Sequence, residues 1–159
     1  MTKIPEEGGK APAFTLDRDG GGKVSLKDYA GKPLVLYFYP KDDTTGCTIE
    51  AQDFSATAAA FKKAGAAVLG VSKDSVKAHD KFLAKYELKL PLGSDPEGTT
   101  VEAYGSWVEK VLYGRKYMGI DRSTFLIDAK GKIVRIWRKV RVKGHVDEVL
   151  AAAKALNAK

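Results

Sequence analysis

The sequence predicts an α/β fold: a mixed central sheet flanked by helices, with an N-terminal hairpin. Two observations carry this expectation. The runs Leu34–Tyr39 (LVLYFY) and Ala67–Val71 (AVLGV) are short, apolar and rich in branched or aromatic residues. Such runs read as strands buried on both faces. The segments after each run change to the helical period, so strands and helices alternate. At 159 residues, with 44% hydrophobic and 30% charged side chains, the chain is expected to form one domain over 1–159. A chain of that length buries roughly 68–70% of its unfolded surface without disulfides or metal.

The elements follow in order. Phe14-Thr15-Leu16 reads as a short strand, Asp19–Lys23 as a turn and Val24-Ser25-Leu26 as the return. Gly20-Gly21-Gly22 does not read as a phosphate cradle, because that use needs a following helix and a strand follows instead. Pro33 and Pro40 bound the first apolar run. Residues 46–64 read as one helix, with Phe54, Ala58 and Phe61 on one face, many alanines, and Gly65 as the stop. After the second run, Ser75 caps a helix carrying Val76, Phe82, Leu83 and Tyr86. Leu90-Pro91-Leu92 is a short extended piece, and a helical segment runs from Pro96 to Tyr104.

Ser123–Asp128 is the next strand, 129–132 a hairpin turn and Ile133–Val142 the return. In that return, apolar positions 134, 136, 140 and 142 alternate with basic ones at 135, 139, 141 and 143. Period two predicts one buried and one charged face, and lysines protect a sheet edge. Asp147 and Glu148 favour a helix start, with Val146, Val149, Leu150, Ala153 and Leu156 along its inner face. The whole order is the layout of a thioredoxin-like domain.

Composition excludes several classes. The net charge of +7 allows attraction to acidic partners, but a lysine-rich solvated surface accounts for it, and nucleic acid is not an expected partner. No run of 18 apolar residues exists, so no spanning helix and no membrane partner are expected. The start, MTKIPEEGGK, has neither a secretory apolar stretch nor the bias of a transit peptide, which predicts a cytoplasmic protein. His79 and His145 stand apart from any set of metal-ligating residues, so both are expected in solvated or capping roles, with no metal and no cofactor. Trp107 and Trp137 read as packing residues, and Asp17, Asp19, Asp42 and Asp43 as turn residues.

Chemistry concentrates at Cys47, the single cysteine. It follows a central strand and opens a helix, and open α/β sheets place their sites at the carboxyl ends of strands. Unpaired N–H groups and the helix dipole there favour an anion, and the thiolate is the nucleophilic form of cysteine. The preceding polar loop, Pro40-Lys41-Asp42-Asp43-Thr44-Thr45-Gly46, puts a hydroxyl at Thr44 within reach of a ligand oxygen beside the sulfur. Pro40 ends the strand stiffly.

Pro40-x-x-x-Thr44-x-x-Cys47 resembles the active-site signature of the peroxiredoxins. Phe38–Asp42 together with Cys47-Thr48-Ile49-Glu50 is similar to the bacterioferritin comigratory protein and peroxiredoxin Q group. Gly9–Leu16 is similar to the opening strand of that group, and Pro91–Pro96 to a later loop. Tyr113–Asp128 resembles its arginine strand. The resemblance implies a thiol peroxidase in which Cys47 attacks the O–O bond of hydrogen peroxide or an organic hydroperoxide and becomes a sulfenic acid. It implies that Thr44 orients the peroxide, Arg122 lies against the thiolate and peroxide oxygens, Pro40 shields the sulfur, and Glu50 supports the arginine. It also suggests a monomer or weak homodimer. Many members carry a resolving cysteine five positions on, where this chain has Gln52, or in the helix at about 75–86, where it has none. A one-cysteine cycle is therefore expected, with thioredoxin or glutathione and glutaredoxin as reductant. A non-catalytic redox sensor or interaction protein on the same fold is the alternative.

Overall fold

The computed structural model describes residues 4–157. Strands β1 (Thr15–Arg18) and β2 (Lys23–Ser25) form the N-terminal hairpin. Gly20, Gly21 and Gly22 all take positive φ in its turn, a conformation open to glycine at no steric cost. The main sheet continues with β3 (Leu34–Phe38), β4 (Ala67–Ser72), β5 (Leu92–Ser94), β8 (Ser123–Ile127) and β9 (Ile133–Trp137). A separate hairpin pairs β6 (Trp107–Leu112) with β7 (Arg115–Ile120). The helices are α1 (Thr45–Ala56), α2 (Ala58–Lys63), α3 (Val76–Tyr86), α4 (Thr99–Ala103) and α5 (His145–Asn157).

The seven strands of the main sheet lie in the order β2-β1-β5-β4-β3-β8-β9. β3 is parallel to β4 and antiparallel to β8, so the sheet is mixed about its central strand. Every residue of β3 is buried, and its alternation divides the core. Val35 and Tyr37, with Tyr39 beyond, face Phe54, Phe61, Phe82 and Val149 of the layer formed by α1, α2, α3 and α5. Leu34, Leu36 and Phe38 face Phe14, Val101, Tyr104 and Phe125 on the other side. Gly70 is opposite Tyr37 in β4; a Cβ there would lie 2.7 Å from the tyrosine ring, so the bulk of Tyr37 requires the glycine. Ser75 caps α3 by accepting from the Ala78 amide at 3.1 Å.

Four expectations change. The helix expected over 46–64 is two helices, broken at Thr57. The Thr57 hydroxyl donates to the Asp53 carbonyl at 2.8 Å, and such back-bonding bends helices. The return strand expected to reach Val142 ends at Trp137. A register shift at Leu126/Ile127 disturbs the alternation, Val134 is exposed, and Lys139 is left-handed with φ 48°. Residues 107–112, unassigned from sequence, and 115–120, within the stretch likened to an arginine strand, form the β6–β7 hairpin. Its two-residue turn, Tyr113-Gly114, has positive φ at both positions (51° and 76°), the geometry that matches strand twist. Arg122, expected within a strand spanning 113–128, falls in the break between β7 and β8.

Candidate active site

β3 ends at Phe38 on the buried centre of the sheet and delivers the chain, through Tyr39 and the loop 40–44, to the start of α1. Thr44 is the N-cap, in extended conformation, so Cys47 is the third residue of the helix. The first helical bond closes from the Thr48 amide to the Thr44 carbonyl at 2.8 Å. Preceding amides of the first turn lack partners within the helix and face its N-terminal end. The Cys47 side chain is almost fully buried, at 1% exposure.

Arg122 reaches the sulfur from the β7–β8 break. One guanidinium nitrogen, Nη2, donates to Cys47 Sγ at 3.3 Å. The other, Nη1, donates to Glu50 Oε1 at 2.7 Å. Cys47 and Glu50 are three residues apart and so share a face of α1, and a single guanidinium spans both. Gly46 makes this approach possible: a Cβ there would stand 3.1 Å from Arg122 Nη2. A larger residue would require the guanidinium to give by a few tenths of an ångström.

Glu50 is fully buried and its second oxygen has no partner. Burial pushes its carboxyl up to about 7, outweighing the attraction of Arg122. Burial acts against the charge of Arg122, but Glu50 and Cys47 more than offset it and the guanidinium is held above its ordinary value. Tyr37 lies in the same core cluster as Cys47, and its hydroxyl is also unpartnered. Burial, reinforced by Glu50 and Cys47, raises it well above the ordinary tyrosine range.

Thr44 is exposed, and its hydroxyl donates to the Lys41 carbonyl at 2.8 Å. Its oxygen remains able to accept a further bond. Pro40 is exposed where the chain leaves Tyr39. The geometry therefore joins Cys47, Arg122 and Glu50 directly, whereas Thr44 and Pro40 stand on the loop leading to them.

The loop itself is pinned by contacts absent from the sequence reading. Asp42, expected as a turn residue, is buried. Its Oδ1 accepts from the Tyr39 hydroxyl at 2.5 Å and its Oδ2 lies 2.7 Å from His79 Nδ1. His79 Nε2 meets the Gly93 carbonyl at 2.9 Å. Both ring nitrogens of His79 are thus engaged by groups from outside its helix. Asp43 bonds outward to Lys85 and Tyr86 of α3. The expectation that both histidines take solvated or capping roles is thus overturned: His79 is fully buried within α3. His145 is buried too, with Nε2 2.8 Å from the Thr124 hydroxyl, and burial lowers it to about 4. Partners 37 and 21 residues away leave no local signal; a histidine among apolar residues on the inner face of a predicted helix was the only one.

A lone buried thiol held by an arginine at a helix start, on a mixed thioredoxin-like sheet, defines the class: a thiol-dependent peroxidase. Residues 8–136 match the AhpC/TSA family, and the chain belongs to it. Within the family it groups with the peroxiredoxin Q, or Bcp, proteins. It is 54% identical to a putative peroxiredoxin bcp of Coxiella burnetii, over 91% of this chain and 96% of that one. It is 48% identical to peroxiredoxin Bcp of Bacillus subtilis, over 97% and 98%. Peroxiredoxin Q of Xanthomonas campestris superposes with a TM-score of 0.87 at 50% identity, covering 91% of each chain. PrxQ of Xylella fastidiosa superposes at 0.92 and 40% identity, over 99% of each. The Xanthomonas protein is also known as mutants of two different cysteines. Their spacing, counted on from Cys47, falls on Leu83 of α3, a partly buried leucine packed on the core. No described helix is long and apolar enough to cross a membrane.

Proposed function

We propose that this peroxidase runs a one-cysteine cycle on hydrogen peroxide and organic hydroperoxides. The carrying observation is the Arg122 guanidinium shared between Cys47 Sγ and Glu50, in a chain with one cysteine. The Cys47 thiolate attacks the nearer peroxide oxygen. The O–O bond breaks, and the departing oxygen takes a proton to leave as water or alcohol, giving the sulfenic acid. Negative charge moves from sulfur to the departing oxygen, so donors fixed beside the sulfur stabilise the transition state. In this reading Arg122 supplies that donor, Thr44 orients the peroxide with its hydroxyl, Pro40 limits water at the sulfur, and Glu50 positions Arg122.

The sulfenic acid then meets an external thiol, releasing water and forming a mixed disulfide. A second thiol displaces Cys47 and carries away the disulfide. Thioredoxin, or glutathione with glutaredoxin, supplies these thiols, and Gln52, exposed on α1, takes no part. A related reading comes from the Xanthomonas campestris bacterioferritin comigratory protein, whose structure is described in terms of alkyl peroxide reduction; it is 49% identical to this chain.

The test is stopped-flow oxidation of Cys47 by hydrogen peroxide and by cumene hydroperoxide, followed by turnover with each reductant. Rapid single-turnover oxidation, slowed in Thr44→Val and Arg122→Met, with many turnovers in the presence of thiol, is the expected result. Oxidation no faster than that of a free cysteine overturns the peroxidase site. Fast oxidation without turnover overturns the cycle and leaves a sensor.

A further inference from the structure

The β6–β7 hairpin contributes no side chain to the Cys47–Arg122–Glu50 cluster, yet it carries five of the eight exposed large hydrophobic residues among those described. Val111, Leu112, Tyr113, Tyr117 and Met118 are 47–96% exposed, the turn residue Tyr113 most of all. Monomeric soluble proteins rarely leave such groups clustered without a partner. The hairpin is hydrogen-bonded to no strand of the main sheet. Its base is fixed, with Ile120 buried and Lys73 lying 4.3 Å over the Trp107 ring. Exposure then rises toward the turn.

The register shows how the apolar groups are distributed. Leu112 is opposite Arg115 and Lys110 opposite Tyr117, which places these four on one face. Val111 is opposite Lys116 and Glu109 opposite Met118 on the other. Each face therefore carries a diagonal apolar pair, and Tyr113 crowns the turn. Lys110, Arg115 and Lys116 stand among them against the single carboxylate of Glu109, and none of the three is in an ion pair among the described residues. A flat protein partner would cover one face and leave the other wet. A medium that surrounds the tip satisfies both. Tyrosine, with lysine and arginine whose charged heads reach back to water, suits the boundary between lipid headgroups and acyl chains.

We propose that the β6–β7 hairpin is a docking element for anionic lipid bilayers: its turn enters the interfacial region while Lys110, Arg115 and Lys116 meet anionic headgroups. This is a surface contact, with no segment crossing the membrane, and it is independent of the one-cysteine cycle. The chain re-enters the main sheet through Arg122 directly after β7, so docking would hold the peroxidase site beside the surface.

The test is co-sedimentation of the full chain with vesicles of phosphatidylglycerol and phosphatidylcholine, and with phosphatidylcholine alone, for wild type, the double variant Leu112→Asp/Tyr113→Asp and Lys116→Gln. Wild type is expected to bind the anionic vesicles and to be released by high salt. Removing one cation should weaken partitioning roughly fivefold, with a larger loss for the double variant. Reduction of hydrogen peroxide in free solution reports folding, because neither Leu112 nor Tyr113 touches the site. No binding to anionic vesicles, or equal binding by a folded double variant, overturns the proposal. So does analytical ultracentrifugation showing that the double variant only converts a dimer to a monomer, which would assign the hairpin to a second copy of the chain.

Discussion

Two buried carboxylates flank Cys47 along the chain, Asp42 on the loop before it and Glu50 on the helix after it. Each is held by a side chain from a distant part of the chain: Asp42 by His79 of α3, Glu50 by Arg122 between β7 and β8. The difference lies in what the pairs leave over. Asp42 uses both oxygens, and both nitrogens of His79 are engaged. Glu50 uses one oxygen and leaves the other buried and unpartnered, while its arginine spends its second nitrogen on sulfur. A fully satisfied buried pair specifies a geometry. An incompletely satisfied one retains electrostatic cost, and such groups concentrate where chemistry is done. The loop side is fully satisfied and acts as an anchor, and the helix side is where the proposed chemistry falls.

Substitutions can separate the two halves. His79→Leu leaves Asp42 Oδ2 buried without its partner, and an unsatisfied buried polar group costs about 1–3 kcal/mol. Urea unfolding should show that loss, and hydrogen exchange should rise across 41–47. Unchanged stability would mean that the loop is held otherwise. Arg122→Met removes the donor beside the sulfur. Peroxide-dependent Cys47 oxidation should fall by roughly 100- to 1,000-fold; Glu50 also loses its partner, so stability should fall as well, and stopped-flow and urea curves measure both on the same samples.

Glu50 adds a pH signature. Its folded value of about 7 exceeds the ordinary 4.5, so between these pH values the native state holds a proton that the unfolded chain has released. Stability is therefore greatest below about 4.5 for this group and falls as pH rises through 7, by about 3 kcal/mol in total. Glu50→Gln should remove that slope from a series of urea curves, and a slope that persists would assign it to other groups. The smallest effect belongs to Asp43→Ala. Its partners Lys85 and Tyr86 lie at the surface, where solvent screens the pair, and both the unfolding midpoint and the oxidation rate should stay near those of wild type.

Residue patterns foretold much of this structure. The buried runs at 34–39 and 67–71, the capping Ser75, the closing helix and the position of Cys47 at a helix start are local matters of period, turn residues and caps, written in neighbouring side chains. The same holds for the signature Pro40, Thr44 and Cys47. The hairpin at 107–120 was less visible because its apolar residues fall on both faces, without the alternation that marks a half-buried strand. The end of β9 at Trp137 was hidden because a register shift in its pairing with β8 changes which side chains point inward.

The sequence by itself determined the mixed α/β order, the single thiol, the absence of any second cysteine to resolve it, and the helix that carries it. Only the tertiary structure decided that Arg122 spans Cys47 and Glu50, that Gly46 makes room for it, and that Asp42 closes on His79. The physical reason is distance along the chain. Period and capping act over a few residues, whereas burial and charge pairing join groups 37 and 72 positions apart, and neither the desolvation that raises Glu50 nor the cation that answers it exists until the sheet and helices have packed.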